Sequence, residues 1–182
     1  MISAGLLGAT TVVANADTTG SSTGDVTFTG GTLSMSVDAT HLAFGSNTIS
    51  SSDATLATSS TPTVTVSDLR GTSAGWTLTV AQGQQFNTAL NGTGSALINA
   101  ALTVAGTESD SAVTNGSTTL TPGTTSAAGA AGTVASAKNG TGNGASTVTF
   151  SDSKLAVPGK TTKLATGYTT TLTWNLNDTP GN

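Results

Sequence analysis

Between Tyr168 and Leu176 the chain sets Tyr168, Thr170, Leu172, Trp174 and Leu176 at every second position, with Thr169, Thr171, Thr173 and Asn175 between them. A period of two lays the first set on one face of an extended strand and the second on the other, which a helical period cannot do. Shorter alternating runs recur at 25–28, 32–37, 63–67, 76–80 and 147–150. The pattern predicts an all-β, antiparallel, sandwich-like domain of two sheets.

Composition decides between such a domain and a disordered stalk. Thr (40) and Ser (22) make up a third of the 182 residues, and charged side chains only 8%. Leu, Ile, Val and Phe number 34, a lean supply at the edge of the disordered range, but the net charge of −4 is too small for disorder to follow. β-branched Thr instead suits the outer face of a sheet. Five cations cannot neutralise a phosphate backbone or an anionic bilayer, so neither nucleic acid nor a membrane surface is expected as partner. With no Cys and a single His, His41, neither a zinc site nor a nucleophilic triad is expected. The chain therefore reads as a non-enzyme without cofactors.

Along the chain, residues 1–16 are uncharged and end in the small-x-small triplet Ala14-Asn15-Ala16. They read as the core and cleavage site of a signal peptide truncated at its start. Residues 17–24 form a flexible leader and 25–182 the domain; no run is long and apolar enough to span a membrane. Gly30-Gly31 between the runs at 25–28 and 32–37 signals a hairpin. Residues 51–62 read as a polar loop, 96–104 as a short helix or a strand, and 122–145 as a long low-complexity surface loop. The strand at 167–176 presents the largest apolar face.

Trp-x-Leu occurs twice, as Trp76-Thr77-Leu78 in VSDLRGTSAGWTLTV and as Trp174-Asn175-Leu176 in GYTTTLTWNLNDTP. With the accompanying segments VTFTGGTLSMSV, HLAFGSNTIS, ASAKNGTGNGASTVTF and KLAVPGKTTKLATGY, the chain resembles the WxL-domain family of Gram-positive cell-surface proteins over about 25–180. His41 and the alanine-rich 126–137 depart from the usual pattern and leave the motifs intact. The resemblance implies a secreted domain held non-covalently on the cell wall, with peptidoglycan as ligand and Trp76, Leu78, Trp174 and Leu176 as determinants. It also implies partners among other WxL proteins and a membrane-tethered WxL-interacting protein, and for some members adhesion to host matrix, for which 122–145 is the natural contact here.

The residues support affinity for glycan independently of the resemblance, because sugar rings bind by stacking on aromatics and by neutral hydrogen bonds, both of which a hydroxyl-coated sheet supplies. Each tryptophan can serve as a platform for a sugar ring or as a brick of a thin core. Arg70, the one Arg, can pair with Asp68 two residues away or offer its fork to a carboxylate of a stem peptide. Asn175 is a further candidate polar contact. A structural subunit that binds other surface proteins is the remaining alternative.

Overall fold

The alternating runs become strands in a computed structural model that describes residues 19–38 and 41–181. No helix occurs among the described residues, and none is therefore long and apolar enough to cross a membrane. Among the described residues there are eleven strands: β1 (Leu33–Val37), β2 (Ala54–Ala57), β3 (Thr63–Asp68), β4 (Trp76–Gln82), β5 (Ala101–Ala105), β6 (Val113–Asn115), β7 (Ser117–Leu120), β8 (Gly132–Ala137), β9 (Gly144–Thr149), β10 (Lys154–Val157) and β11 (Leu172–Asn177). They pair antiparallel into three sheets, ordered β1-β3-β9, β2-β10-β5-β7 and β11-β4-β8-β6. The architecture is all-β and sandwich-like, with three sheets in place of the two expected. Gly116 alone separates β6 from β7, so the chain passes from one sheet to another there, and a Thr107–Thr149 bridge ties the β2-β10-β5-β7 sheet to the β1-β3-β9 sheet.

One hydrophobic cluster fills the space between the sheets. Its fully buried members include Val64 and Val66 of β3, Trp76, Leu78 and Val80 of β4, Leu102 and Val104 of β5, Val134 of β8, Val148 of β9, and Phe150. In β3 and β4 every second residue is buried, which is the alternation read in the sequence.

Four expectations are corrected. The 25–28/32–37 hairpin does not form: β1 pairs with β3, where Met35 and Val37 lie opposite Val66 and Val64, and 25–28 stands outside the sheets. The apolar face of β3 offers more cover than the short hairpin partner. The polar stretch 51–62 contains β2, held because Leu56 faces Leu155 of β10. The stretch 122–145 is not one loop, since it contains β8, with Val134, Ala135 and Ala137 fully buried. Its small side chains are what allow it to lie against Trp76: Ala137 is the direct partner of Trp76, and the register skips Val134 as a bulge between Leu78 and Thr79. Finally, β11 is shorter than 167–176 and forms a sheet edge with alternately half-buried residues, so the largest buried apolar load belongs to β4. The open choice at 96–104 resolves as strand in its second half only, where β5 begins at Ala101; an isolated bridge at Ala96 and a turn precede it. The stretch read as a signal peptide lies outside the described residues.

Candidate functional site

The two Trp-x-Leu motifs lie side by side. β11 pairs with β4 so that Leu176 faces Leu78 and Trp174 faces Val80, four residues along β4 from Trp76. Both tryptophans point to the inner face of one sheet, but their surroundings differ because β4 is flanked on both sides and β11 is an edge. Trp76 has 0% of its surface exposed, and its Nε1–H donates to the Gly142 carbonyl oxygen at 3.1 Å. Gly142 holds φ +78°, and a Cβ there would lie 2.8 Å from Trp76 Nε1, so a glycine is required for the indole to reach that carbonyl. Leu78 is likewise fully buried. Trp174 is half-buried, backed by Phe150 at a ring-centroid distance of 4.7 Å and 49° between planes.

Trp174 borders two grooves where the sandwich stays open between the edge strands β1 and β11. The deeper, about 540 Å³, has walls of Val37, Asp38, His41 and Leu42 on one side and Tyr168, Thr169, Thr170, Leu172 and Trp174 on the other, with Phe86, Leu102 and Phe150 beneath. The shallower, about 660 Å³, runs between 31–35 and Trp174, Asn175 and Leu176, and ends at Arg70 and Asp178. Tyr168 Oη accepts from the Leu164 amide at 2.8 Å, and Thr170 Oγ1 donates to the Gln84 carbonyl at 2.6 Å, so the far wall is fixed by its own hydrogen bonds. The His41 carbonyl accepts from Ser60 Oγ at 2.6 Å.

Arg70 is committed to Asp68. Its Nε and Nη2 donate to the two carboxylate oxygens at 2.9 and 2.8 Å, and Nη2 also donates to the Gly75 carbonyl at 2.7 Å. The Asp68 side chain is fully buried, and that of Arg70 is partly exposed, at 15%. The Arg70 hydrogen bonds hold the Asp68 carboxyl below its ordinary range, against the opposing effect of burial, and the carboxylate in turn raises Arg70. The pair thus clamps the 68–75 turn between β3 and β4. One nitrogen, Nη1, faces the shallower groove, 3.6 Å from the exposed Asp178 carboxylate.

Sequence reasoning placed Tyr168 on the face of Trp174 but gave it no role, and it missed Phe150, Leu42 and the whole β1 wall. The alternating runs 32–37 and 147–150 mark β1 and Phe150 as strand, but nothing local places either beside Trp174, because they arrive from distant parts of the chain. The candidate set is therefore divided: Trp76 and Leu78 sit in the core, Trp174, Leu176 and Asn175 line the open side, and Asp68 with Arg70 forms a clamp at its end.

Fold and site together define a β-sandwich binding module with an aromatic-floored, nearly uncharged groove. The chain belongs to the WxL family, whose model, described as a WxL domain, surface cell wall-binding, matches residues 10–180 of the 182. The protein is a cell-surface protein with a cell-wall-binding domain. No curated protein and no solved structure matches the chain.

Proposed function

We propose that this domain is secreted and binds peptidoglycan non-covalently through the deeper groove, with Trp174 and Tyr168 as the stacking surfaces. The observation that carries the proposal is the half-buried Trp174, held on Phe150 at the mouth of a groove whose polar side chains are the hydroxyls of Thr63, Tyr168, Thr169 and Thr170 with Asp38 and His41. A half-buried aromatic ring presents its open apolar face to the C–H face of a sugar, while Thr169, Thr170 and Asp38 offer neutral and acidic partners to its hydroxyls. Leu176 and Asn175 extend that wall. Trp76 and Leu78 serve the same end indirectly, as the core strand on which β11 is registered.

The decisive experiment is co-sedimentation with peptidoglycan stripped of proteins and teichoic polymers. Wild-type protein and a Trp76→Phe variant are expected to pellet, and a folded Trp174→Ala variant to stay in solution. Full retention of Trp174→Ala overturns the assignment of the groove. Binding only to protein-bearing wall supports instead the reading as a subunit that engages other WxL proteins or a WxL-interacting protein. For adhesion to host matrix the available contact narrows to the loop at 122–131, because β8 takes 132–137 into a sheet.

A further inference from the structure

The segment before β1 keeps the alternation of a strand in its sequence but joins no sheet. Residues 25–29 read Asp-Val-Thr-Phe-Thr, with Val26 77% and Phe28 90% exposed on alternate positions, and they make no backbone pairing among the described residues. Two large apolar side chains mostly in water, at positions that share a face whenever the arm is extended, are a cost that a partner would remove.

The complementary surface is the free edge of β1. The Asp38 amide donates to the Thr63 carbonyl at 3.0 Å, so by the alternation of an antiparallel ladder the even-numbered residues of β1 direct their backbone groups to β3. Leu33, Met35 and Val37 therefore turn their N–H and C=O groups toward the open edge. The side chains of Leu33 and Met35 line the shallower groove, opposite Trp174 and Leu176. Their spacing of two residues equals that of Val26 and Phe28. An arm laid antiparallel along this edge, with Phe28 beside Leu33 and Val26 beside Met35, points both side chains into the shallower groove and leaves the deeper one open.

The arm does not reach its own β1. A two-residue hairpin at Gly30-Gly31 needs positive φ at the first glycine (type II′) or at both (type I′), and neither has it. Instead the Gly31 amide donates to the Leu69 carbonyl at 2.7 Å, and Gly30 is pressed against Arg70, where a Cβ would lie 2.5 Å from the carbonyl oxygen. The chain is thus held straight past the end of β3, and the arm leaves the domain. We propose that the 25–29 arm of one copy adds as an edge strand to β1 of a second copy, so that two domains exchange arms through their shallower grooves. The arrangement is symmetric, since each copy carries both the arm and the acceptor edge.

The absence of Cys makes the test direct. In the proposed register Thr27 and Ser34 face each other in a non-hydrogen-bonded pair on the outer side, close enough for a disulfide. The full chain with Thr27→Cys and Ser34→Cys, oxidised without wall polymer present, is expected to run as a covalent dimer joined between positions 27 and 34. Adding Val26→Asp and Phe28→Asp is expected to abolish that dimer and to weaken wild-type self-association in sedimentation velocity about tenfold or more. A monomer whose thiols have both been consumed shows that the arm folds back on its own β1 and overturns the proposal. Free thiols in an unlinked monomer, or a dimer that survives the two aspartates, overturn it equally. Because no glycan enters the assay, its outcome is separate from that of wall binding.

Discussion

Replacing each tryptophan by alanine separates the two motifs. Trp76 is fully buried, is flanked by strands on both sides and donates to Gly142, so Trp76→Ala empties an aromatic site in the core and orphans a buried carbonyl. Such truncations cost about 3–5 kcal/mol, and the lost hydrogen bond places this one near the upper end. Against a total stability of about 5–15 kcal/mol, and about 2–4 °C per kcal/mol for a chain of this size, the expected fall in Tm is about 10–20 °C. Trp174 keeps part of its surface in water and sits on an edge strand, so Trp174→Ala forfeits roughly half as much, about 2 kcal/mol and about 4–8 °C. Differential scanning calorimetry of the two variants checks this. Equal falls in Tm, or a Trp76→Ala variant with wild-type Tm, refute the division of one core motif from one groove motif.

Three further outcomes follow from the same geometry. Gly142→Ala forces a methyl onto Trp76 and Ala137 at φ +78° and is expected to destabilise by about 2 kcal/mol or more in chemical denaturation. Asp68→Ala removes a buried, charge-assisted contact and is expected to cost about 1.5–3 kcal/mol, because Arg70 keeps some access to water and to Asp178. The Asp68 carboxyl is lowered in the folded state, so its contribution is fully present above the ordinary carboxylate range of about 4 and disappears as pH falls through the lower folded value. An acid titration of wild type should therefore lose stability below about pH 4 more steeply than Asp68→Ala does. Wall retention is expected to change less than about twofold between 50 and 500 mM salt, since the deeper groove binds by stacking and hydrogen bonds; retention that collapses with salt contradicts it.

The alternating runs at β3, β4 and β11 were legible because a residue's parity depends only on its neighbours, and the scarce large side chains fall on those parities. The stretches that became β2 and β8 were not, because their side chains are small or polar and become strand only through what they face: Leu155 for Leu56, and Trp76 for Ala137. An alanine-rich run that looks too poor to build a core is the shape complement of an indole contributed from some sixty residues away. Site residues divided in the same way. The tryptophans and the Asp68–Arg70 pair stand out locally, whereas Phe150 beneath Trp174 and the β1 wall exist only once the sheets close. The expected 25–28 strand kept its pattern and lost its hairpin partner, and that mismatch is what identifies the arm.

The central claim is that Trp174, not Trp76, meets the wall polymer. In a Trp76→Phe protein, Trp174 is the sole indole, and its emission reports the groove alone. Titration with soluble fragments of stripped peptidoglycan is expected to shift or quench that emission saturably, at the same fragment concentration that releases the protein from intact wall. A protein that still pellets with the wall while its Trp174 emission stays unchanged through the titration would contradict the account.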